Sequence, residues 1–111
     1  MISIVIPIFN EEAVITETLD KINSVLSKQK IDYEIITVND GSSDSTESLL
    51  KKRNDIILIS SEINRGYGFS LKEGIKKSNG TQILIIDADG SYPIDRIPSL
   101  INESSAYDMV I

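Results

Sequence analysis

Two carboxylates one residue apart follow an unbroken aliphatic run. Residues 83–86 are Ile-Leu-Ile-Ile, and Asp87 and Asp89 come directly after them. Such a run predicts a strand buried on both faces of a parallel sheet, with the acids at the edge where open α/β sheets bind ligands. Paired carboxylates repel each other, and Mg²⁺ or Mn²⁺ relieves the repulsion because hard cations take oxygen ligands. Ordinary turn chemistry is the alternative interpretation of the same residues.

Composition excludes several classes of chemistry. The chain of 111 residues suits one domain, and its net charge of −6 argues against a nucleic-acid-binding surface. It has no cysteine and no histidine, so a metal site within it must be built from oxygen. No secretory signal or membrane-spanning run is visible, and the expected location is cytoplasmic, with membrane association in a longer protein.

Apolar segments alternate with helical patterns along the chain. Strands are predicted at residues 2–6, where Pro7 stops the first strand, and at residues 33–38, 56–59 and 82–86. A fifth begins near residue 107. Strands that alternate with helices favour right-handed crossovers, so the predicted fold is an α/β three-layer sandwich with a mostly parallel central sheet.

The helices carry packing signals. Ile15, Leu19, Ile22 and Leu26 fall on one face of the first helix, which predicts that this face packs on the sheet. The third helix is predicted to turn Leu71 and Ile75 inward, and its glycine at position 74 permits close packing.

Capping signals precede the first two helices. Asn10 is predicted to cap the first helix, with Glu11 and Glu12 in its positive first turn. Asp44 and Glu47 have the spacing of a capping box for the second helix. A charged first turn is therefore an alternative to a ligand-binding role for Glu11.

Polar residues follow three of the predicted strands. In a parallel sheet these strand ends share one edge. Acceptor side chains there suit ring N–H groups and ribose hydroxyls, and a metal suits phosphates, so a nucleoside diphosphate would satisfy all three. The groups are Pro7, Phe9, Asn10 and Glu11, then Asn39, Asp40, Gly41 and Ser42, then Asp87 and Asp89.

The obvious nucleotide-binding competitors lack their motifs. A dinucleotide fold needs glycines after the first strand, where this chain has Pro-Ile-Phe-Asn-Glu-Glu, and a P-loop is absent. Residues 64–68, Asn-Arg-Gly-Tyr-Gly, are a weak signal that a flexible turn also explains.

Four motifs together resemble those of family 2 glycosyltransferases. They are Pro-Ile-Phe-Asn-Glu at residues 7–11, Val-Asn-Asp-Gly-Ser-Ser-Asp-Ser-Thr at 38–46, Asn-Arg-Gly-Tyr-Gly at 64–68 and Asp-Ala-Asp-Gly-Ser-Tyr-Pro at 87–93. The chain looks most like the polyprenol-phosphate sugar transferases of that family. The resemblance implies a GT-A fold, a nucleotide-diphosphate-sugar donor, inverting transfer and a divalent metal, Mg²⁺ or Mn²⁺.

The resemblance also implies which residues hold the donor. Asp89 is the expected direct metal ligand, and Asp87 a ribose or outer metal contact. Two positions depart from the family pattern, because Asn39 stands where an aspartate is usual and Ser91 where the lipid-phosphate branch has glutamine. The implied donor contacts are Pro7, Phe9, Glu11, Val38, Asp40, Asp87, Ala88 and Asp89.

The resemblance does not settle the acceptor, which is a lipid phosphate or a glycan. The sequence ends on an aliphatic strand, so we expect it to be the N-terminal part of a longer enzyme and inactive alone. An unpaired strand edge would favour pairing with a second copy. The alternative function is a non-catalytic nucleotide-binding or interaction module whose acids are structural.

Overall fold

A five-stranded parallel sheet runs through the chain in the order β3-β2-β1-β4-β5. The computed structural model describes residues 1–29, 31–90, 93–98 and 109–110. The strands are β1 (Ile2–Ile8), β2 (Tyr33–Asp40), β3 (Ile57–Ser61), β4 (Gln82–Ile85) and β5 (Met109–Val110). The helices are α1 (Ile15–Ser27), α2 (Thr46–Lys51), α3 (Tyr67–Lys77) and a 3-10 turn (Ile94–Arg96).

The central strand runs further than predicted. β1 pairs with β2 from Ile2 to Ile8, and with β4 only from Ile2 to Val5. Because Pro7 has a paired neighbour on one side alone in the described chain, its missing N–H does not end the strand. The prediction that Pro7 stops β1 was therefore wrong. The predicted fifth strand is confirmed for Met109–Val110, which pairs parallel to β4.

Helices cover both faces of the sheet. The predicted apolar face of α1 is confirmed, since its four residues are fully buried against a cluster that includes Ile4, Ile6 and Ile8. These even-numbered residues point to one side of β1, and the odd-numbered ones point to α3 on the other. The three-layer α/β sandwich predicted from the sequence is confirmed.

α3 packs unusually close to the sheet. A Cβ at Gly74 would lie 2.4 Å from Val5 Cγ1 and 3.3 Å from Val38 Cγ2, so only glycine fits there without a shift. The prediction of close packing is confirmed. The residues that α3 buries are Ser70 and Gly74, whereas Leu71 and Ile75, predicted to point inward, are half-buried.

The cap predicted for α1 was wrong, because Asn10 bonds across the fold instead. The capping box predicted for α2 is not formed, because the Glu47 carboxylate accepts from Asn39 and Ser60. α1 begins only at Ile15, and Asn10, at φ 52°, accepts hydrogen bonds at Oδ1 from the backbone of Ser43 and Asp44 at 2.8 and 3.3 Å. Asp44 accepts from the Glu12 N–H at 3.3 Å, and within its own loop from the Thr46 N–H at 2.9 Å. The bonds of Asn10 and the bond from Glu12 join the loop after β1 to the loop after β2.

Within the ranges that the structure describes, no helix has the length and apolar character needed to cross a bilayer.

Candidate functional site

A cleft of about 370 Å³ opens at the carboxyl ends of β1, β2 and β4, beside the first turn of α3. The cleft forms there because polar residues follow each of these strands directly. The carboxyl ends of parallel strands meet at the same edge of the sheet, so the polar side chains lie close together. The cleft gathers most of the sequence-predicted contacts. They are Pro7, Phe9, Glu11, Asp40, Asp87, Ala88 and Asp89.

Val38 lies outside the cleft wall. It is 2% exposed and packs beneath Gly74 on the α3 side of the sheet. Asp40 is two residues further along the same face of β2, so it reaches the cleft while Val38 stays one pleat below it. The structure therefore places Val38 in the core under the site.

The β2 side of the cleft is built around Asp40. Its carboxylate is 5% exposed, with Oδ1 accepting from the Arg65 N–H at 2.8 Å and Oδ2 from the Gly66 N–H at 2.9 Å. Gly41, at φ 71°, allows the same loop to approach, since a Cβ there would lie 2.4 Å from the Asn64 nitrogen. Asp40 thus fixes the loop that leads into α3.

A polar cluster supports this side from below. Asn39, which is 1% exposed, donates from Nδ2 to Ser60 Oγ at 3.0 Å and to Glu47 Oε2 at 3.3 Å. The Ser60 hydroxyl donates to Glu47 as well. Hydrogen bonds from Ser60 and then Lys51 lower the pKa of Glu47 below its ordinary value.

The β4 side is more open. Asp87 is exposed and accepts a hydrogen bond from the Tyr67 hydroxyl at 3.2 Å, while Ala88 is buried beside it. Burial, and then the negative charge of Asp87, raise the pKa of Tyr67. Asp89 is exposed on the same cleft wall. Tyr67 bridges the cleft, because it starts α3 next to the loop that Asp40 holds.

Glu11 faces these acids from the end of β1. Its backbone N–H donates to Thr46 Oγ1 at 3.0 Å. Burial raises the pKa of its carboxyl, and the negative charges of Asp89 and Asp44 raise it further. Among the described residues that line the cleft, four carry carboxylates and none is lysine or arginine. The part of the cleft wall that these described residues form is therefore rich in negative charge.

A comparison with protein families identifies the chain. Residues 3–111 match the model described as "Glycosyl transferase family 2". The chain belongs to glycosyl transferase family 2. The undecaprenyl-phosphate 4-deoxy-4-formamido-L-arabinose transferase of Pseudomonas fluorescens (strain Pf0-1) is 32% identical over 98% of this chain and 34% of that protein. The chain spans about a third of that relative's length.

Solved structures with the same fold include two complexes, one with a nucleotide sugar and one with a nucleotide. S. aureus TarS 1–349 in complex with UDP-GlcNAc superposes with a TM-score of 0.67 at 29% identity, over 94% of this chain and 32% of that one. Mycobacterium tuberculosis glucosyl-3-phosphoglycerate synthase in complex with UDP gives a TM-score of 0.73 at 26% identity, over 92% and 39%. The GT-A architecture expected from the sequence is confirmed.

The acids of this family 2 chain suit a hard divalent cation only in part. Asp87 and Asp89 supply carboxylate oxygens. Burial, and then the negative charges of Asp89 and Asp44, raise the pKa of Glu11, and a cation would offset that charge. No group of three or more acidic side chains able to hold a metal exists in the described part of the chain. A cation there would need oxygen ligands from substrate phosphates and water. Ser91, considered as a ligand, lies outside the described residues.

Sequence reasoning missed part of the cleft wall. Asn64, Gly66 and Tyr67 line it, although the sequence alone favoured a flexible turn for residues 64–68. Their signal was the motif at residues 64–68, to which no donor contact had been assigned. Ile8 also lines the cleft and lies within the motif at residues 7–11, whereas no sequence pattern marked Ser70.

Proposed function

We propose that this chain is the donor-binding part of a glycosyltransferase that moves a sugar from a nucleoside diphosphate to an acceptor. One observation carries the proposal. The cleft presents four carboxylates and, among its described residues, no basic side chain. A diphosphate is repelled by such a surface unless a divalent cation accompanies it, and family 2 membership supports a nucleotide-sugar as the diphosphate.

The nucleoside would lie in the β1–β2 part of the cleft. Pro7 and the half-exposed ring of Phe9 offer apolar surface to a base. Each carboxylate oxygen of Asp40 accepts one backbone N–H and has a second lone pair free. Asp40 can therefore also accept a hydrogen bond from a ring N–H of the base. Glu11 would accept hydrogen bonds from ribose hydroxyls.

The diphosphate would lie in the β4 part. Asp89, with Asp87 beside it, would hold Mg²⁺ or Mn²⁺ against the phosphate oxygens. When bound, the cation would offset charge that develops on the departing nucleoside diphosphate. Tyr67 keeps Asp87 turned to the cleft through its hydroxyl. Displacement at the anomeric carbon would invert its configuration.

Uridine diphosphate is the nucleotide to test first. Two of the solved structures that resemble this chain are complexes with UDP or UDP-GlcNAc. The curated relative is named for transfer to undecaprenyl phosphate, which supports a polyprenol phosphate as the acceptor here. Such an acceptor needs no general base, because its attacking oxygen is already anionic. A cytoplasmic, membrane-associated location of the longer protein follows from this acceptor as part of the proposal.

Calorimetric titration of UDP tests the proposal. With Mn²⁺ we expect saturable binding, and with EDTA at least a tenfold loss of affinity. The variant Asp89→Ala should lose the metal-dependent component. Asp95→Ala removes an equal charge from the exposed 3-10 turn and should bind like the wild type. A UDP affinity that is the same with Mn²⁺ and with EDTA, and unchanged in Asp89→Ala, would contradict the proposal.

A non-catalytic nucleotide-binding module is the second candidate. The lack of a three-acid metal group in the described residues favours it. It predicts nucleotide binding of equal strength with Mn²⁺ and with EDTA, so the same titration separates the two candidates.

We further propose that these 111 residues have little transferase activity alone, because they cover about a third of the curated relative. A transfer assay with a nucleotide-sugar and a polyprenol phosphate tests this, and robust turnover would contradict it.

Self-association is the last part of the proposal. Among the described strands, β3 and β5 lie at the two edges of the sheet. An unpaired parallel edge offers free backbone groups to a second copy. Size-exclusion chromatography should show a dimer, and a monomer at all concentrations would refute this part.

A further inference from the structure

Ser70 lies at the inner wall of the cleft, on the face of α3 that meets the sheet. Gly74, one turn further along α3, packs over Val5 and Val38. Four helical residues advance about 6 Å and two strand residues about 6.6 Å, so Ser70 lies over the next pair along those strands. That pair is Pro7 and Asp40, which line the cleft together with Ser70.

The Ser70 hydroxyl has no hydrogen-bond partner. The residue is 1% exposed, and its Oγ is the one buried side-chain oxygen or nitrogen left unpaired among the described residues. A buried hydroxyl without a partner destabilises the fold, since it loses its bonds to water and gains none. Such a group needs an explanation, and a bound ligand is one.

Three serines in or just after helices bond in a way that Ser70 does not. The hydroxyls of Ser27, Ser48 and Ser78 each donate to the carbonyl three residues earlier, at 3.4, 2.9 and 2.6 Å. At the start of α3 the Gly66 carbonyl accepts the backbone N–H of Ser70 at 3.1 Å, and the Ser70 hydroxyl donates to no carbonyl of the described residues. Rotation about χ1 moves this hydroxyl between staggered positions beside the cleft.

The surroundings of Ser70 suit a base better than a phosphate. Asp40 beside it is a carboxylate, which repels phosphate oxygens and accepts from a ring N–H. A hydroxyl both donates and accepts, so Ser70 complements the carbonyl or ring nitrogen next to that N–H. The acids that would hold a metal, Asp87 and Asp89, follow β4, on the other side of β1 from Asp40.

We propose that the Ser70 hydroxyl is a specificity-determining contact that hydrogen-bonds the nucleobase of the donor, next to Asp40. This inference rests on the proposed function, because it assumes that the cleft takes a nucleoside diphosphate. The ligand completes the bonds of a group that the free chain leaves unpaired. Removing the hydroxyl therefore has opposite effects on the free and the bound chain.

The variant Ser70→Ala tests this with two measurements. Binding of UDP, GDP, CDP and ADP with Mn²⁺ is measured by calorimetry, together with inorganic pyrophosphate as a probe without a base. For the nucleotide that binds wild type most tightly, we expect an affinity loss of about five- to tenfold, as for one lost hydrogen bond. Pyrophosphate affinity should not change. The melting temperature of the free variant should equal or exceed that of wild type.

Ser48→Ala is the matched control, because it removes an exposed hydroxyl from α2 outside the cleft. It should leave nucleotide affinity unchanged. Equal nucleotide affinity of wild type and Ser70→Ala would overturn the inference and leave the proposed function intact. A loss of pyrophosphate affinity equal to the nucleotide loss would also overturn it. Failure of wild type to bind any of the four nucleotides would overturn both.

Discussion

The cleft has two halves that the chain builds differently. In the β2 half, Asp40 is buried and both of its oxygens accept backbone N–H groups of the facing loop. In the β4 half, Asp87 and Asp89 are exposed, and Asp87 accepts a bond from a side chain, the Tyr67 hydroxyl. One half uses its carboxylate to shape the protein, and the other presents carboxylates to the cleft.

The two halves of the cleft therefore suit different parts of a nucleoside diphosphate. A base needs a rigid surface, and the β2 half is rigid because its loop is fixed at several points. A diphosphate with a cation needs negative charge on the protein, and the exposed carboxylates of Asp87 and Asp89 provide it. Substitutions in the β2 half should therefore lower the free energy of unfolding, whereas substitutions in the β4 half should lower ligand affinity.

The largest expected loss of stability is from Asp40→Ala. It leaves the N–H groups of Arg65 and Gly66 without their charged acceptor, which we expect to lower the free energy of unfolding by about 2–4 kcal/mol. Asp87→Ala in the exposed half should lower it by less than about 1 kcal/mol. Urea denaturation of both variants measures this contrast, and equal losses would remove the distinction between the halves.

Two glycine variants compare how tightly the loops of the two halves are packed. Gly41 and Gly90 have similar φ angles, 71° and 79°, so alanine is strained at both. At Gly41 the new Cβ would also meet the Asn64 nitrogen at 2.4 Å, whereas at Gly90 the nearest atom is 4.0 Å away. We expect destabilisation of about 2–4 kcal/mol for Gly41→Ala and about 1 kcal/mol for Gly90→Ala. Melting curves showing the reverse order would contradict the packed loop.

Asn39→Asp should have a smaller and pH-dependent effect. It replaces an amide that donates to Glu47 and Ser60 by a second carboxylate beside Glu47. The variant should melt lower than wild type at neutral pH, and the difference should shrink in acid as the carboxylates take up protons. In the double variant Asn39→Asp, Glu47→Gln, donor and acceptor are exchanged, so much of the loss should be recovered. A double variant no better than the single one would contradict this arrangement.

The smallest expected effect is from Glu11→Gln. Because burial and nearby acids raise the pKa of Glu11 in the folded chain, the folded state holds this proton more tightly than the unfolded state. Stability therefore falls as pH rises from the ordinary glutamate pKa through the raised value. Glu11→Gln should melt slightly higher than wild type at pH 7 and show no gain at pH 4. Glu17→Gln, on exposed surface, is the charge control, and an equal gain there would contradict the local cause.

Much of the fold was predictable because it follows from apolar periodicity. Each aliphatic run became a strand, and the four spaced residues of α1 became its buried face. The convergence of strand ends was predictable from parallel topology alone. Apolar periodicity is a local signal, and the convergence of the strand ends follows from general rules for connecting parallel strands.

The loops were not predictable for the opposite reason. Asn10 has the chemistry of a helix cap, yet its partners are 33 and 34 residues away, at Ser43 and Asp44. The wall that Asn64 and Gly66 provide depends on Asp40, and its bond to Gly66 spans 26 residues. Hydrogen bonds over such separations leave no periodic trace, so local preferences assigned these residues to caps and turns.

A crystal structure of the chain grown with Mn²⁺ and UDP tests the central claim most directly. We expect an anomalous manganese peak within bonding distance of Asp89, with oxygens of the diphosphate bound to the manganese. The uracil ring should lie between Phe9 and Asp40. Manganese bound away from Asp89, or a ring seated outside the cleft, would contradict it.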